Sequence, residues 1–458
     1  MDIKEIREKY RRDKWRAIED SFDGDPALGR GHGRLVVDAL RDFYSIYSDE
    51  VFEWFSSLYD PTVGAFYYSP SARDNDTVTD RRGRTFPLLP DAESTCQAFA
   101  FARGSGMMEG VEKPIEFFPR ELLDRFTAFV RGMQRENGYF YHPQWGDAID
   151  KQLNRRARDL VWCGKYLEAV GAVPVYDTPS GIKGEKSALA VAKEEKPKAV
   201  VATPEHLLSK EAFLSYLGTL DMANRSYHHG NELITQLSQI TARDKVLSEQ
   251  GADYRLLDIV VDWLTEQINP ATGHWHAEAN YYGVNGLLKT LSFFNTKGVL
   301  YPCALRAAKS AACAIVSPEP MTGIVDIYNA WWVFGNLSYN LRHFGGEEGN
   351  AIAESLKTEV RASAPALIRR SAEKLLPFRK AGGSFSYCPD MSSPTSQDMP
   401  VAIYGTPEGD INATGIGHNG ARKHIFNCLG IGELTPPLFV KEDGVKFVGM
   451  LEERLKNG

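Results

Sequence analysis

Residues 64–70 read Gly64-Ala65-Phe66-Tyr67-Tyr68-Ser69-Pro70, and Asp91-Ala92-Glu93-Ser94-Thr95 follows. Residues 383–389 read Gly383-Ser384-Phe385-Ser386-Tyr387-Cys388-Pro389, and Asp410-Ile411-Asn412-Ala413-Thr414 follows. The step from glycine to aspartate is 27 residues in both copies. Each copy lies between two long helical patterns. A turn, a spacing and a helix start that recur together mark a helical-hairpin repeat.

Working outward from these copies, apolar residues recur at helical spacing almost everywhere, and β-type alternation is nearly absent. Residues 36–58 read as one helix, with Leu40, Phe43, Tyr44, Tyr47, Val51 and Phe55 on a stripe; a second helix starts near Asp91. Further pairs are expected at 119–135 and 152–170, 209–220 and 230–248, and 253–268 and 281–295. Two more are expected at 302–315 and 327–343, and at 350–376 and 411–429, with flanking helices at 1–20 and 438–456. Glycine supplies the positive φ that a helix-to-loop turn needs, and the aromatic two residues later can plug the structure. The expected fold is all-α: a single domain over 1–458, an (α/α)6 toroid of helical hairpins with long polar loops. An irregular helical array or two helical domains is the alternative. Residues 177–204, rich in Lys, Glu, Ala, Pro and Gly, read as a flexible inserted loop.

The chain has 458 residues, a net charge of −7 and 43% hydrophobic content. No basic stripe stands out, so nucleic acid is not an expected partner. The charged start lacks the apolar core of a signal peptide, and no run of about 18 apolar residues could span a bilayer. Six cysteines without CxxC spacing read as reduced core thiols. The expected location is the cytoplasm. The expected partner is a small-molecule or oligosaccharide substrate, with no membrane; the oligomeric state stays open.

In a toroid the second helices of the pairs would bring their N-termini to one end, where the sequence puts its densest chemistry. Candidate catalytic residues are His229, Asn231, His276, Glu278, Tyr281, Tyr282 and Asp326. Candidate binding residues are Asp91, Glu93, Asn224, Tyr227, His228, Asn280, Tyr328, Trp332, Asp410 and Asn412. Aromatic rings stack on the C–H faces of sugars while fixed amides and carboxylates take the hydroxyls. Helix N-termini favour an anionic group such as a uronate carboxylate. The plain structural reading makes Asp91, Asp326 and Asp410 N-caps worth about 1 kcal/mol each. It makes Thr95 and Thr414 packing or capping residues. Four of the ten histidines fall in two of these turns, which favours acid–base work. No cofactor or metal is expected, because His228-His229 and His274-x-His276 lack HExxH or CxxC spacing and signal no third ligand.

The turn Gln134-Arg135-Glu136-Asn137-Gly138-Tyr139-Phe140 resembles the Gln…Gly…aromatic repeats of squalene cyclases and related α/α toroids. The cyclases' aspartate-rich acid motif and the prenyltransferase zinc ligands are absent. A second resemblance is to the α/α-toroid polysaccharide lyases, such as hyaluronate and chondroitin lyases. There an Asn on one turn and a His-then-Tyr segment on a later one form the site. Asn224 or Asn231, then His276 with Tyr281 or Tyr282, is similar in order and residue type, without a matching Arg/Glu pair. Uronyl hydrolases and other glycosidases share such toroids, so fold does not choose the reaction.

Four readings follow. In β-elimination at a uronic acid, Asn231 or Asn280 and the helix N-termini neutralise the carboxylate, and His276 or His229 is the base. Tyr281 or Tyr282 then protonates the leaving oxygen, and arginines of the 73–84 loop orient the anionic sugar. In glycoside hydrolysis, two of Asp91, Glu93, Glu278, Asp326 and Asp410 act as a carboxylate pair. A non-catalytic glycan-binding protein and a terpene-cyclase-like enzyme are the remaining two. Elimination on an acidic oligosaccharide is preferred.

Overall fold

The computed structural model describes residues 2–186 and 204–458. Among these residues there are seventeen α-helices, and the strands form three antiparallel two-stranded ladders. The first nine helices are α1 (Ile3–Asp23), α2 (His32–Tyr44), α3 (Val51–Ser57), α4 (Pro70–Asp74), α5 (Ala92–Ser105), α6 (Arg120–Gly132), α7 (Leu153–Ala169), α8 (Lys210–Leu217) and α9 (Met222–Glu249). The rest are α10 (Leu256–Glu266), α11 (Tyr281–Lys297), α12 (Ala304–Val316), α13 (Val325–Phe344), α14 (Gly346–Leu375), α15 (Ile411–Gly415), α16 (Ala421–Cys428) and α17 (Lys441–Asn457).

The first helix of a pair and the second differ in burial. Helix α6 buries only the stripe Leu122, Leu123, Phe126 and Val130, as an amphipathic surface helix does. Helix α11 buries Tyr281, Gly283–Leu288, Thr290, Leu291, Phe293 and Phe294, on nearly every face. Second helices also touch one another: α5 packs on α7 and α15, α9 on α11, α11 on α13, and α13 on α16. First helices lie against them, α10 on α9 and α11, α12 on α11 and α13, and α14 on α13.

The turn glycines take the expected conformation, with φ of +70° at Gly64, +80° at Gly138, +73° at Gly273 and +67° at Gly383. The aromatics two positions on, Phe66, Phe140, Trp275 and Phe385, are all buried. Three loops pack together beside the main core: Tyr68, Val78 and Phe86 meet Tyr141, Trp145 and Ile149, and Met399, Val401 and Ala402. They cover the starts of α5, α7 and α15.

Some expectations need correction. The 36–58 pattern is two helices, broken at residues 45–50, where Ser45 stops α2 and Val51 starts α3. The helix expected at 411–429 is interrupted by a π turn over Ile416–Gly420. The loop after Gly64 holds α4 and a hairpin pairing Thr77–Thr79 with Thr85–Pro87. Of the expected inserted loop, residues 177–186 fold back on the Gly138 turn, where Tyr176 N–H donates to Gln134 Oε1 at 2.9 Å and Gly184 N–H to Asp177 Oδ1 at 2.9 Å. Residues 187–203 of that expectation lie outside the described residues. No helix among the described residues is long and apolar enough to cross a membrane.

Candidate functional site

The two copies of the repeat build the same hydrogen-bonded corner. Phe66 N–H donates to Thr95 Oγ1 at 2.9 Å, and Phe385 N–H to Thr414 Oγ1 at 3.0 Å. The N–H of Asp91 reaches Phe66 O at 3.1 Å, and that of Asp410 reaches Phe385 O at 2.9 Å. Each aspartate caps its helix, Asp91 accepting from Ser94 N–H at 3.0 Å and Asp410 from Ala413 N–H at 2.8 Å. Tyrosine stands four residues after the glycine in both copies. The phenol of Tyr68 bonds to Asp410, so the first copy is tied to the last. Ile411 N–H adds a bond to Tyr68 O at 3.0 Å.

Around these corners the buried carboxylates are fully engaged. Glu93 accepts from Arg155 at 3.0 Å, Arg158 at 2.6 Å, Gln97 at 3.0 Å and Ser396 at 3.2 Å. Arg155 is fully buried, with Asp159 at 2.8 Å, Asp91 at 3.5 Å and the Trp145 ring 4.2 Å from its guanidinium carbon. Asp410 Oδ2 takes the N–H groups of Tyr387 at 3.0 Å and Ser393 at 3.4 Å. Asp326 is not the N-cap of α13, which is Ile324. Its carboxylate instead reaches back to Thr322 N–H at 2.9 Å and Gly323 N–H at 3.2 Å, and across to Asn285 Nδ2 at 2.8 Å. Burial pushes Asp410 up to about 7 and Asp159 up to about 6, against the donors and cations that pull them down. Burial raises Asp326 as well.

Beside this shell lie groups that are not spent. Tyr227 meets the side chains of Asn231, Asn329 and Tyr387, close to Asp326. Asn329 Nδ2 donates to Asn285 Oδ1 at 3.1 Å, which continues the network to Asp326. Burial raises both the Tyr227 and the Tyr387 phenols, so they stay protonated donors. Lys289 of α11 lies with Nζ 5.8 Å from the centroid of the Tyr227 ring. Burial lowers its amine, and a second cation, Arg158 of α7, lowers it further. Among the described residues no ion pair holds this amine, and a guanidinium and an amine that act on each other make a place for an anion.

The structure thus brings Asp91, Glu93, Tyr227, Asn231, Asp326, Asp410 and Asn412 into one network, Asn412 Oδ1 accepting from Gln97 Nε2 at 3.1 Å. His276, Asn280 and Tyr282 stand at its edge. Asn280 caps α11, giving its Oδ1 to Gly283 N–H at 3.0 Å. That fixes its amide as a donor to His276 Nδ1 at 3.3 Å, where Glu278 N–H also donates at 3.2 Å. The Tyr282 ring lies 6.2 Å from His276 and 6.4 Å from Tyr227. Glu278 is exposed. Tyr281 turns away and takes Lys374 Nζ on its hydroxyl at 3.1 Å. Asn224 is an exposed partner of the Asp221 cap. Trp331 is core; Trp332 stacks on His424 with centroids 4.9 Å apart, and Tyr328 meets both rings. His229 points to the opposite face of α9 from Tyr227, and His228 to the flank between them. Two arginines of the 73–84 loop are taken by their neighbours, Arg73 by Asp74 and Arg84 by Asp80.

Sequence reading passed over Tyr68, Tyr387, Arg155, Arg158, Asn285, Lys289 and Asn329. The tyrosines were in the repeated phrase itself, at a shared position. Arg155 and Arg158 are an i, i+3 pair on a second helix, and Lys289 is a lone charge in an otherwise apolar turn; either was visible as a misfit. Two clefts lie elsewhere, one of 630 Å³ beside Glu53, Pro61 and Arg454 and one of 530 Å³ beside Arg103 and Lys423. Chemistry, not volume, therefore defines the candidate site. Compared with family models, with curated proteins and with solved structures, the chain matches none.

Proposed function

We propose that the helix pairs close into an (α/α)6 toroid and that the polar cluster at the starts of its inner helices acts on acidic, uronate-containing oligosaccharides by β-elimination. The run of inner contacts from α15 to α5 to α7, and from α9 through α11 and α13 to α16, supports the ring. The observation that carries the chemistry is Lys289, a desolvated amine 5.8 Å from the Tyr227 ring and lowered further by the charge of Arg158. A substrate carboxylate satisfies the Arg158 guanidinium, and its neutralisation acidifies the proton on the adjacent carbon.

The open face of Arg158 takes that carboxylate. Lys289, its amine lowered by burial, removes the C5 proton. The C–H electron pair becomes the C4=C5 double bond, the C4–O bond breaks, and the leaving oxygen takes the proton of the Tyr227 phenol. Lys289 replaces His276 in the base role, because the Nδ1 lone pair of His276 already faces two N–H donors and its Nε2 then carries the ring proton. Hydrolysis by a carboxylate pair has less support, since Glu93, Asp326 and Asp410 are all engaged by donors of the fold. A cytoplasmic enzyme of this kind would take oligosaccharides already inside the cell.

The experiment is a panel of uronate oligosaccharides followed in the ultraviolet, with products weighed. Elimination gives a conjugated absorbing product, and fragment masses that sum to the substrate. Fragments heavier by one water in total would replace elimination with hydrolysis. Tight binding without cleavage would make the chain a glycan-binding protein.

A further inference from the structure

On the other side of α9 from the Tyr227 cluster, the helix start gathers three ligand-type side chains. The donor atoms of His228, His229 and Glu232 all lie within 4.8 Å of one another. His229 Nδ1 is 3.2 Å from Glu232 Oε2, and the two imidazole centroids are 5.0 Å apart. The third ligand that the sequence did not signal is thus one helical turn on from the histidine pair.

Glu232 is also held from behind. Its other oxygen, Oε1, accepts the Tyr216 hydroxyl of α8 at 2.8 Å. Gln236 Nε2 donates to that hydroxyl at 2.7 Å, and Gln236 Oε1 meets His206 Nε2 at 2.6 Å. The His206 ring stacks on Tyr216 with centroids 4.3 Å apart. Outer hydrogen bonds of this kind orient a carboxylate ligand and leave its second oxygen directed at the ion. Asp221, at the N-terminus of the same helix, is close enough to interact electrostatically with His229.

We infer that His228, His229 and Glu232 form a binding site for a divalent transition ion of the zinc class, with Tyr216 as the group that positions Glu232. Two imidazoles and one carboxylate suit zinc, nickel or copper, whereas calcium and magnesium need a shell of oxygens. Bonds of about 2.0–2.1 Å at tetrahedral angles set donors about 3.4 Å apart. His228 is exposed and turns to meet that spacing, while His229 is buried and Glu232 partly so. Three protein ligands leave a fourth position open to solvent. The site is independent of the elimination chemistry, since it shares no residue with it.

The test is calorimetric titration of the full chain, stripped with chelator, with zinc, and with cobalt followed in the visible. One tight equivalent is expected, with the intense absorption of four-coordinate cobalt. His228→Ala and Glu232→Gln, both at accessible positions, are expected to remove the tight equivalent while thermal unfolding without metal is unchanged. Tyr216→Phe is expected to weaken binding by about tenfold. Absence of a tight equivalent in the parent chain overturns the site. So does unchanged affinity in both His228→Ala and Glu232→Gln, which would place the ion on other histidines.

Discussion

The hydroxyl of Thr414 holds the backbone N–H of Phe385 at 3.0 Å, and Thr95 holds that of Phe66 at 2.9 Å, so one side chain in each copy clamps its turn to the helix 29 residues on. Both aromatics are fully buried, and no water can replace the hydroxyl. Thr414→Val keeps the shape and orphans the Phe385 N–H. The expected loss is about 1–3 kcal/mol of unfolding free energy, read by urea denaturation. Thr95→Val should cost a similar amount. If both variants unfold within a few tenths of a kcal/mol of the parent, the hydroxyl is not what holds the corner.

Close approach of α9 and α11 underlies the cluster of Tyr227 and Lys289. A Cβ on Gly286 would stand 2.5 Å from the Cβ and Oγ of Ser226. Gly286→Ala should therefore cost about 1–3 kcal/mol by overpacking and shift Tyr227 relative to Lys289. Gly415 is also helical and has nothing within 4 Å of such a Cβ. Gly415→Ala should be neutral, or stabilising by up to about 1 kcal/mol. Equal behaviour of the two alanine variants in thermal unfolding would remove the packing argument.

Asp410 gives stability an unusual pH dependence. Burial raises its folded-state pKa to about 7, above the usual carboxylate value of about 3.9. The folded chain then holds a proton that the unfolded chain releases. This contribution is complete below about pH 4 and is lost as pH rises to 7. The buried histidines act in the opposite sense. Burial lowers His142, His274 and His424 to about 4, so their contribution is present above about pH 6.5 and is lost as pH falls towards 4. Comparing Asp410→Asn with the parent cancels the histidines. The stability of the parent minus that of the variant should fall between pH 4 and 7, by on the order of 3 kcal/mol. A flat difference would show that the donors on Asp410 outweigh its burial.

The helices were legible because burial writes a period into sequence. The stripe of α6 and the nearly all-round burial of α11 are both visible in the order of apolar residues. Asp91 and Asp410 were legible as helix starts because a cap is a local bond, three residues long, whereas Asp326, expected as a third cap, bonds back to Thr322 and Gly323. Lys289, Arg158 and Asn329 were not, because their meaning comes from residues on other helices. The surroundings of His276 were hidden as well: two groups of its own turn, the Glu278 N–H and the Asn280 amide, donate to its Nδ1. The break between α2 and α3 escaped notice because the apolar stripe continues through Tyr47 and Val51 while the backbone does not.

Glu93 and Lys289 should answer mutation in opposite ways, and the contrast separates scaffold from chemistry. Glu93 is the shared partner of Arg155 and Arg158, and Arg155 is 1% exposed. Glu93→Gln keeps the volume but withdraws the charge, which should cost roughly 3 kcal/mol because Arg155 cannot reach water. Among the described residues no ion pair holds Lys289, and its burial is already unfavourable. Lys289→Gln should leave unfolding unchanged or move it to higher denaturant. The same variant should lower turnover of a uronate substrate on the order of 10²-fold or more, as loss of a general base does. Paired denaturation and rate measurements on both variants decide the matter. A Lys289→Gln protein that is destabilised yet turns over normally would move the amine from the reaction to the fold.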